Sequence, residues 1–199
     1  MARKTGEIRK GEIIATTRDI IFNEGFSNFT IRSVAGRVGI SEAAIYRHFA
    51  NKEELLLGLL DSLFIPWRDA LEKLAEEAGG VSEKLVKLVH LHLHHLVDRQ
   101  LNPVLFFSEA IRPENQKLLE KLNSNLQYLY QTVQKILLQA VESGSCRRDL
   151  DVDSSASCVI GILQTAVIRW TLRRDNSGLV EQASHLMKFF IEMIVKKGN

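Results

Sequence analysis

The chain has 199 residues, 45% of them hydrophobic, and a formal net charge of +2. That is room for a substantial core in one or two domains, and with three prolines and few alternating β-branched runs the chain reads as all-α. The two cysteines, Cys146 and Cys158, have neither ligand spacing nor a secreted framework around them, and no apolar run approaches the ~18 residues of a membrane span.

The charge is unevenly spread. Residues 1–52 hold nine Lys and Arg against five Asp and Glu; the remainder holds 17 against 19. The positive part is therefore N-terminal, as phosphate binding requires. Residues 1–7 read as a frayed arm, in which Arg3 and Lys4, with Arg9 and Lys10 beyond, either touch a DNA backbone or are simply solvated. No apolar stretch follows the basic start, so no signal peptide is expected and the cytoplasm is the simplest compartment. A first helix is expected from about Arg9 to Glu24, with Ile13, Ile14, Thr17, Ile20 and Ile21 on one face and Gly25 ending it. Phe22, Phe26 and Phe29 then close a small core.

Residues 30–52, TIRSVAGRVGISEAAIYRHFANK, predict two short helices joined by a tight turn. Thr30 is placed to cap the first, about Ile31 to Val38, and Gly39 to end it. Ser41 is placed to cap the second, about Glu42 to Phe49. Ile31, Val34, Ala35, Val38, Ile40, Ala44, Ile45 and Phe49 fall on one stripe of each helix. The second helix leaves Glu42, Ala43, Tyr46, Arg47 and His48 outside. Small residues at its start permit close approach to a groove. Tyr46, Arg47, His48 and Lys52 can donate to phosphates or base edges. This is the layout of a helix-turn-helix, whose second helix enters the DNA major groove. Spacing alone leaves an ordinary helical hairpin open.

The residue types point further. Phe29-Thr30-Ile31-Arg32, Val34-Ala35, Val38-Gly39-Ile40-Ser41, Ile45-Tyr46-Arg47-His48-Phe49 and Asn51-Lys52-Glu53-Glu54-Leu55 resemble the DNA-binding motif of the TetR family of transcriptional repressors. The match covers roughly Glu7 to Phe64; beyond it the resemblance is one of architecture. It implies a DNA contact by Arg32, which lies in the first turn of its helix and would otherwise pair with a surface carboxylate. Glu42 has two readings: acceptance from a cytosine amino group, or a favourable charge at a helix N-terminus. The DNA-facing set is thus Thr30, Arg32, Ser41, Glu42, Ala43, Ala44, Tyr46, Arg47, His48 and Lys52. The motif itself is 30–49, the DNA-binding domain 1–51 (about 7–67 with the start of the linker helix), and the body 52–199.

A fourth helix is expected to begin after Asn51, with Leu55, Leu56, Leu59, Leu60 and Leu63 on its apolar face. Pro66 should kink or break it, leaving a second segment to about Ala78. The family resemblance makes this helix the link between DNA-binding head and body. A fifth helix, about Ser82 to Asp98, is apolar over most of its girth and should be central. Lys84, Lys87, His94 and Asp98 define its wet side. His90, His92, His94 and His95 invite a metal reading, but no HExxH pattern is present and the rings point in several directions. His90 and His92 are read instead as lining a cavity or bonding within the core.

A short helix is expected from Pro103 to Ile111, anchored by Phe106 and Phe107. A long one follows, from about Glu114 to Ser143, with at most one of Tyr128 and Tyr130 reaching the interior. Gly144 ends it, and Cys146, Arg147 and Arg148 are read as solvated. Two further helices, about Asp153 to Arg174 and Leu179 to Lys196, bring the total to about nine. The first is rich in small residues; the second carries Leu186, Met187, Phe189, Phe190, Met193 and Ile194. A single helix-turn-helix reads one half-site, so a homodimer through these last two helices is expected, as the family architecture implies.

The expected function is that of a ligand-responsive regulator, most simply a repressor on a pseudo-palindromic double-stranded DNA operator. Phe64, Trp67, His92, His95, Phe106, Phe107, Tyr128 and Trp170 are candidate lining residues for a largely apolar or aromatic small-molecule effector. No Gly-rich phosphate loop, nucleophile elbow or framed carboxylate pair supports an enzyme, and no cofactor is expected. The alternative is a DNA-bound structural or division-control protein acting through a protein partner. The run from Ser41 to Phe49 resembles the recognition helix of the nucleoid-occlusion branch of the same family.

Overall fold

The structure is a computed structural model describing residues 6–99, 101–173, 175 and 177–196. Arg3, Lys4 and Arg174 lie outside the described residues. Among those described, nine α-helices occur and no strand: α1 (Gly6–Glu24), α2 (Ile31–Val38), α3 (Glu42–Tyr46), α4 (Lys52–Glu76), α5 (Val81–Asp98), α6 (Pro103–Ala110), α7 (Gln116–Glu142), α8 (Val152–Arg173) and α9 (Leu179–Ile194). Single 3-10 turns at Phe26–Asn28 and Pro113–Asn115 precede α2 and α7. The chain is all-α, as its composition and periodicity predict.

Two compact units form. One comprises Met1–Ile65 and Leu105–Asn123, the other Pro66–Val104 and Ser124–Asn199. In the first, Ile13, Ile20 and Ile21 of α1 pack with Phe29, Val34, Ile45 and Leu55, Leu59, Leu60 and Leu63 of α4, all under 2% exposed. Burial of each such side chain contributes roughly 1.5–3 kcal/mol, which is what holds helices as short as α2 and α3 in place. Phe106 of α6 joins this core edge-to-face with Phe22 and Phe26, at centroid distances of 5.8 and 5.2 Å. Its neighbour Phe107 is 39% exposed, so one aromatic anchors α6 and not the expected two: adjacent helical residues point about 100° apart.

In the second unit α5 packs against both α8 and α9, and α8 against α9. The expectation that α5 is central holds, with Leu85, Leu88, Val89 and Leu93 fully buried. Lys84 is a correction. It is 8% exposed, and its ammonium donates to the Ala75 carbonyl at 2.8 Å and to Gln139 Oε1 at 3.1 Å. A cation at the C-terminal carbonyls of α4 meets the negative end of that helix and is satisfied there. His90 is also corrected: it is exposed, with its Nε2 3.4 Å from Ser184 Oγ.

Several boundaries differ from the sequence reading. The α-helix α3 stops at Tyr46, where Phe49 would have been expected. His48 and Phe49 N–H both donate to the Ile45 carbonyl, tightening the last turn, and Phe49 swings into the core at 3% exposure. Pro66 does not break α4, which is continuous through it. Proline removes one bond, to the Ser62 carbonyl, at roughly 3 kcal/mol; Leu63, Trp67 and Leu71 beside it are all buried and outweigh that loss. Cys146 is buried rather than solvated. The loop after α7 runs beside the end of α9, with Arg147 N–H donating to the Ile194 carbonyl and Lys196 N–H to that of Ser145. Finally, α8 is long and apolar enough to cross a membrane by length and composition, its best window having a mean hydropathy of 1.3. Its serines, threonines, glutamine and glycine break the apolar run without adding charge. In the fold it packs on α5 and α9.

Candidate nucleic-acid interface and effector cavity

The helix-turn-helix is built by local chemistry. Thr30 has an extended backbone and its hydroxyl accepts from Ser33 N–H at 2.9 Å, while Ser33 Oγ accepts from Thr30 N–H at 3.0 Å. This reciprocal box satisfies two of the free amides at the start of α2. Gly39, at φ 75°, ends α2 in the left-handed region, where a side chain would be strained. Both Gly39 and Ile40 N–H donate to the Ala35 carbonyl. Ser41 Oγ accepts from Ala44 N–H at 3.2 Å and caps α3. Asn51 Oδ1 accepts from Glu54 N–H and Glu54 Oε2 from Ala50 N–H, both at 2.8 Å, starting α4.

Ile45 and Phe49 pin α3 inward at 0% and 3% exposure. Ala43, Tyr46 and Arg47 are exposed on its outer side, with Glu42, Ala44 and His48 half-buried. Arg32 Nε donates to Glu42 Oε1 at 3.1 Å, joining the first turns of the two helices. Lys52 is exposed, with its Nζ 4.6 Å from the Phe29 ring centroid, and Lys10 Nζ lies 5.3 Å from that of Phe49. Two cations thus stand over aromatic rings of the small core, a favourable arrangement that leaves ammonium hydrogens for water or phosphate. Gly58 of α4 has no room for a side chain: a Cβ there would lie 2.9 Å from Phe49 Cε1. The three-residue contact Ile45–Phe49–Gly58 fixes the end of α3 against α4.

The eight candidate lining residues divide. Phe64, Phe106 and Phe107 belong to the first unit, where Phe106 is a core residue of the aromatic cluster. Trp67, His92, His95, Tyr128 and Trp170 belong to the second. There, Trp67 lies 5.7 Å from His92 and 6.0 Å from His95, ring centroid to ring centroid. Trp67 and His95 line a cleft of about 460 Å³ with Pro66, Ala70, Leu91, Asp98 and Arg99. His92 Nδ1 is buried without a hydrogen-bond partner among the described residues. Burial, then the neighbouring His95, pushes the His92 pKa down to about 3. Burial and Arg99, opposed by Asp98, bring His95 down to about 4. Both rings are therefore neutral near pH 7. Tyr128 lies apart from this group with Arg68, its hydroxyl donating to the Arg68 carbonyl at 3.4 Å. Trp170 is half-buried on α8. Among the described residues no group of three or more His, Cys, Asp or Glu is placed to hold a metal.

Sequence reasoning missed Arg68 and Asn125. Arg68 Nε donates to Asn125 Oδ1 at 2.9 Å and its Nη2 to Ser124 Oγ at 3.1 Å. These partners are more than fifty residues away in the chain, and nothing in the local sequence signals the pairing.

A three-helix head carrying a capped helix-turn-helix, with a helical body following it in sequence, defines a class of DNA-binding regulator. Comparison with known proteins agrees. Residues 13–59 match the model of bacterial regulatory proteins of the tetR family. Residues 63–193 match that of the YsiA-like protein C-terminal region. The fatty acid metabolism regulator protein of Bacillus subtilis is 23% identical over 186 residues, 94% of this chain and 95% of its own. The transcriptional repressor KstR2 of Mycobacterium tuberculosis is 30% identical over 159 residues, 77% of this chain and 78% of its own. The fold is shared with the regulator FadR from Bacillus subtilis in complex with stearoyl-CoA, at a TM-score of 0.77 and 22% identity over 91% of this chain and 97% of that one. The chain belongs to the TetR family of transcriptional regulators, a family of regulators and not of enzymes.

Proposed function

We propose that this chain is a homodimeric repressor that binds a pseudo-palindromic operator and is released by a small molecule with a large apolar part. The observation that carries the reading is α3: capped by Ser41, pinned by Ile45 and Phe49, and presenting Tyr46 and Arg47 outward. In this reading residues 1–51 form the DNA-binding domain and 52–199 the effector and dimer body, acting in the cytoplasm where the operator lies. The DNA-facing residues are Thr30, Arg32, Ser41, Glu42, Ala43, Ala44, Tyr46, Arg47, His48 and Lys52. The small side chains admit the phosphate backbone, and the long ones donate to it or to base edges.

Dimerisation is supported by what α8 and α9 leave outside. Ile168 and Leu172 on α8, and Leu186, Phe189 and Met193 on α9, are 40–79% exposed. They recur at three- and four-residue intervals, the spacing of a helix-packing face. Exposed apolar rows of this kind on a regulator that must read two half-sites fit a two-fold interface. The effector reading is supported by the cleft that Trp67 and His95 line, with His92 beside Trp67; these rings are aromatic and uncharged near neutral pH. It is supported also by a relative whose name concerns fatty acid metabolism and by a solved structure of the same fold that holds stearoyl-CoA. For release, the effector must bind the DNA-incompetent arrangement more tightly, since equal affinity for both shifts nothing.

DNA selection from a random duplex pool, followed by a salt titration, tests the reading. The expected result is a palindromic consensus bound with a steep negative dependence of log affinity on log salt. Failure to enrich any sequence would sink it.

A further inference from the structure

We propose that Arg68 and Asn125 form an anion-recognition subsite for the acidic head of the effector, a carboxylate or a phosphate. The inference rests on the reading of the body as an effector-binding module. Arg68, on α4, is half-buried and held on several sides by neutral groups. Asn125 Oδ1 accepts from its Nε, Ser124 Oγ from its Nη2, and the Tyr128 ring lies 5.0 Å below its guanidinium carbon. No ion pair to a carboxylate is seen for it among the described residues, and, unlike the exposed Arg47 and Arg148, which also have none, it is half-buried and hydrogen-bonded in place. A fixed guanidinium without a counter-ion is a preformed receptor for a planar or tetrahedral anion.

Asn125 supplies the independent observation. Its side chain is 3% exposed, and its Nδ2 is buried with no acceptor among the described residues. Turning the amide over would set its NH2 against the guanidinium, donor to donor, so Oδ1 must face Arg68 and Nδ2 must remain the open donor. Buried amide donors are almost always matched. Beyond the bonds to Asn125 Oδ1 and Ser124 Oγ, the remaining guanidinium N–H groups and Asn125 Nδ2 are left as donors without an acceptor among the described residues, which is the complement of an oxygen anion. The surface contact to Ser124 and the buried Asn125 mark the two ends of the subsite, so an anionic head reaches Arg68 first and Asn125 beyond it.

The test is isothermal titration calorimetry of the full chain with dodecanoyl-CoA, dodecanoate and 1-dodecanol, on the parent, Arg68→Gln, Arg68→Lys and Asn125→Leu. Melting temperatures of the variants establish that they fold, and Arg68→Gln carries the test if Asn125→Leu does not. Expected is at least a tenfold loss of affinity for an anionic probe in Arg68→Gln, partial recovery in Arg68→Lys, and unchanged binding of 1-dodecanol. Dependence already present with dodecanoate assigns the head as a carboxylate; dependence confined to dodecanoyl-CoA assigns it as phosphate. Anionic probes that bind the parent and Arg68→Gln equally well would overturn the subsite while leaving the effector reading intact. No binding of any probe to the parent would overturn both.

Discussion

Arg32 Nε donates to Glu42 Oε1 at 3.1 Å, although the Arg32 side chain is 90% exposed. The pair joins α2 to α3 on the surface proposed to face DNA. A lone carboxylate there would repel phosphates, and the guanidinium neutralises it. An exposed pair of this kind is worth about 0–1 kcal/mol to the fold, so its consequence is electrostatic. Glu42→Gln is expected to leave the melting temperature within a few degrees. It should tighten binding to all DNA sequences several-fold and steepen the salt dependence, because Arg32 becomes free for a phosphate. A change confined to one base position in the selected consensus would instead assign Glu42 to a cytosine edge.

Tyr46→Ala and Lys52→Ala are expected to weaken operator binding with little loss of stability, since Tyr46 is exposed and Lys52 projects over Phe29. If both variants bind a mapped operator like the parent, α3 does not dock as proposed. Arg47→Ala should change which sequences bind, by about 1–3 kcal/mol at one position if the residue reads a base. A uniform loss makes it a phosphate contact. Genome-wide footprinting adds the wider view: a few promoters fit a repressor, many scattered sites a structural role.

Gly58→Ala sets two effects against each other. Alanine in a helix interior is favoured over glycine by about 1 kcal/mol. Its Cβ would meet Phe49 Cε1 at 2.9 Å, and a buried ring that must move costs roughly 1–3 kcal/mol. The clash is expected to win. Chemical denaturation should give a lower midpoint, and operator affinity should fall with it, because Phe49 fixes the end of α3. A stabilised variant with unchanged DNA binding would contradict the packing.

His92 and His95 titrate in the folded chain near 3 and 4, against an ordinary value of 6.5. The unfolded chain therefore binds protons that the folded chain refuses between those values. Stability is complete above about pH 6.5 and is lost as pH falls towards 4 and 3, by on the order of 1–2 kcal/mol per ring at pH 5. Thermal melts from pH 7.5 to 4.5 should fall steadily, and His92→Phe should flatten the slope. An unchanged slope would mean that the ring is hydrated.

Lys84→Met keeps the stem but removes the ammonium from the Ala75 carbonyl and Gln139 Oε1. The loss expected is about 1–3 kcal/mol, read as a shift in the denaturation midpoint without a change in its slope.

The helix-turn-helix was legible because its determinants are local. Thr30, Gly39, Ser41 and Asn51 each act on a backbone group within four residues, so spacing alone carries the geometry. The errors come where a distant residue decides. Nothing near Lys84 announces that Gln139 will accept from it, and nothing near Cys146 announces the end of α9. Phe106 reads as cavity lining until Phe22 and Phe26 are found against its ring. Pro66 reads as a break until the buried side chains around it are weighed. The same holds for Arg68 and Asn125: a receptor assembled from two helices leaves no mark on either sequence. The aromatic character of the body's cleft was readable from Trp67 and His95; the pairing of Arg68 with Asn125 was not.

The two thiols are chemically unequal. Cys146 is sealed in the second unit, and burial raises its pKa, so it stays protonated and unreactive. Cys158 is exposed on α8, in helical register with Gly161, Thr165 and Leu172, which are also exposed. The native chain thus carries a single addressable labelling position on the very face where a second copy is expected to sit. A maleimide fluorophore there would serve as a proximity gauge for self-association, with no substitution needed to install it.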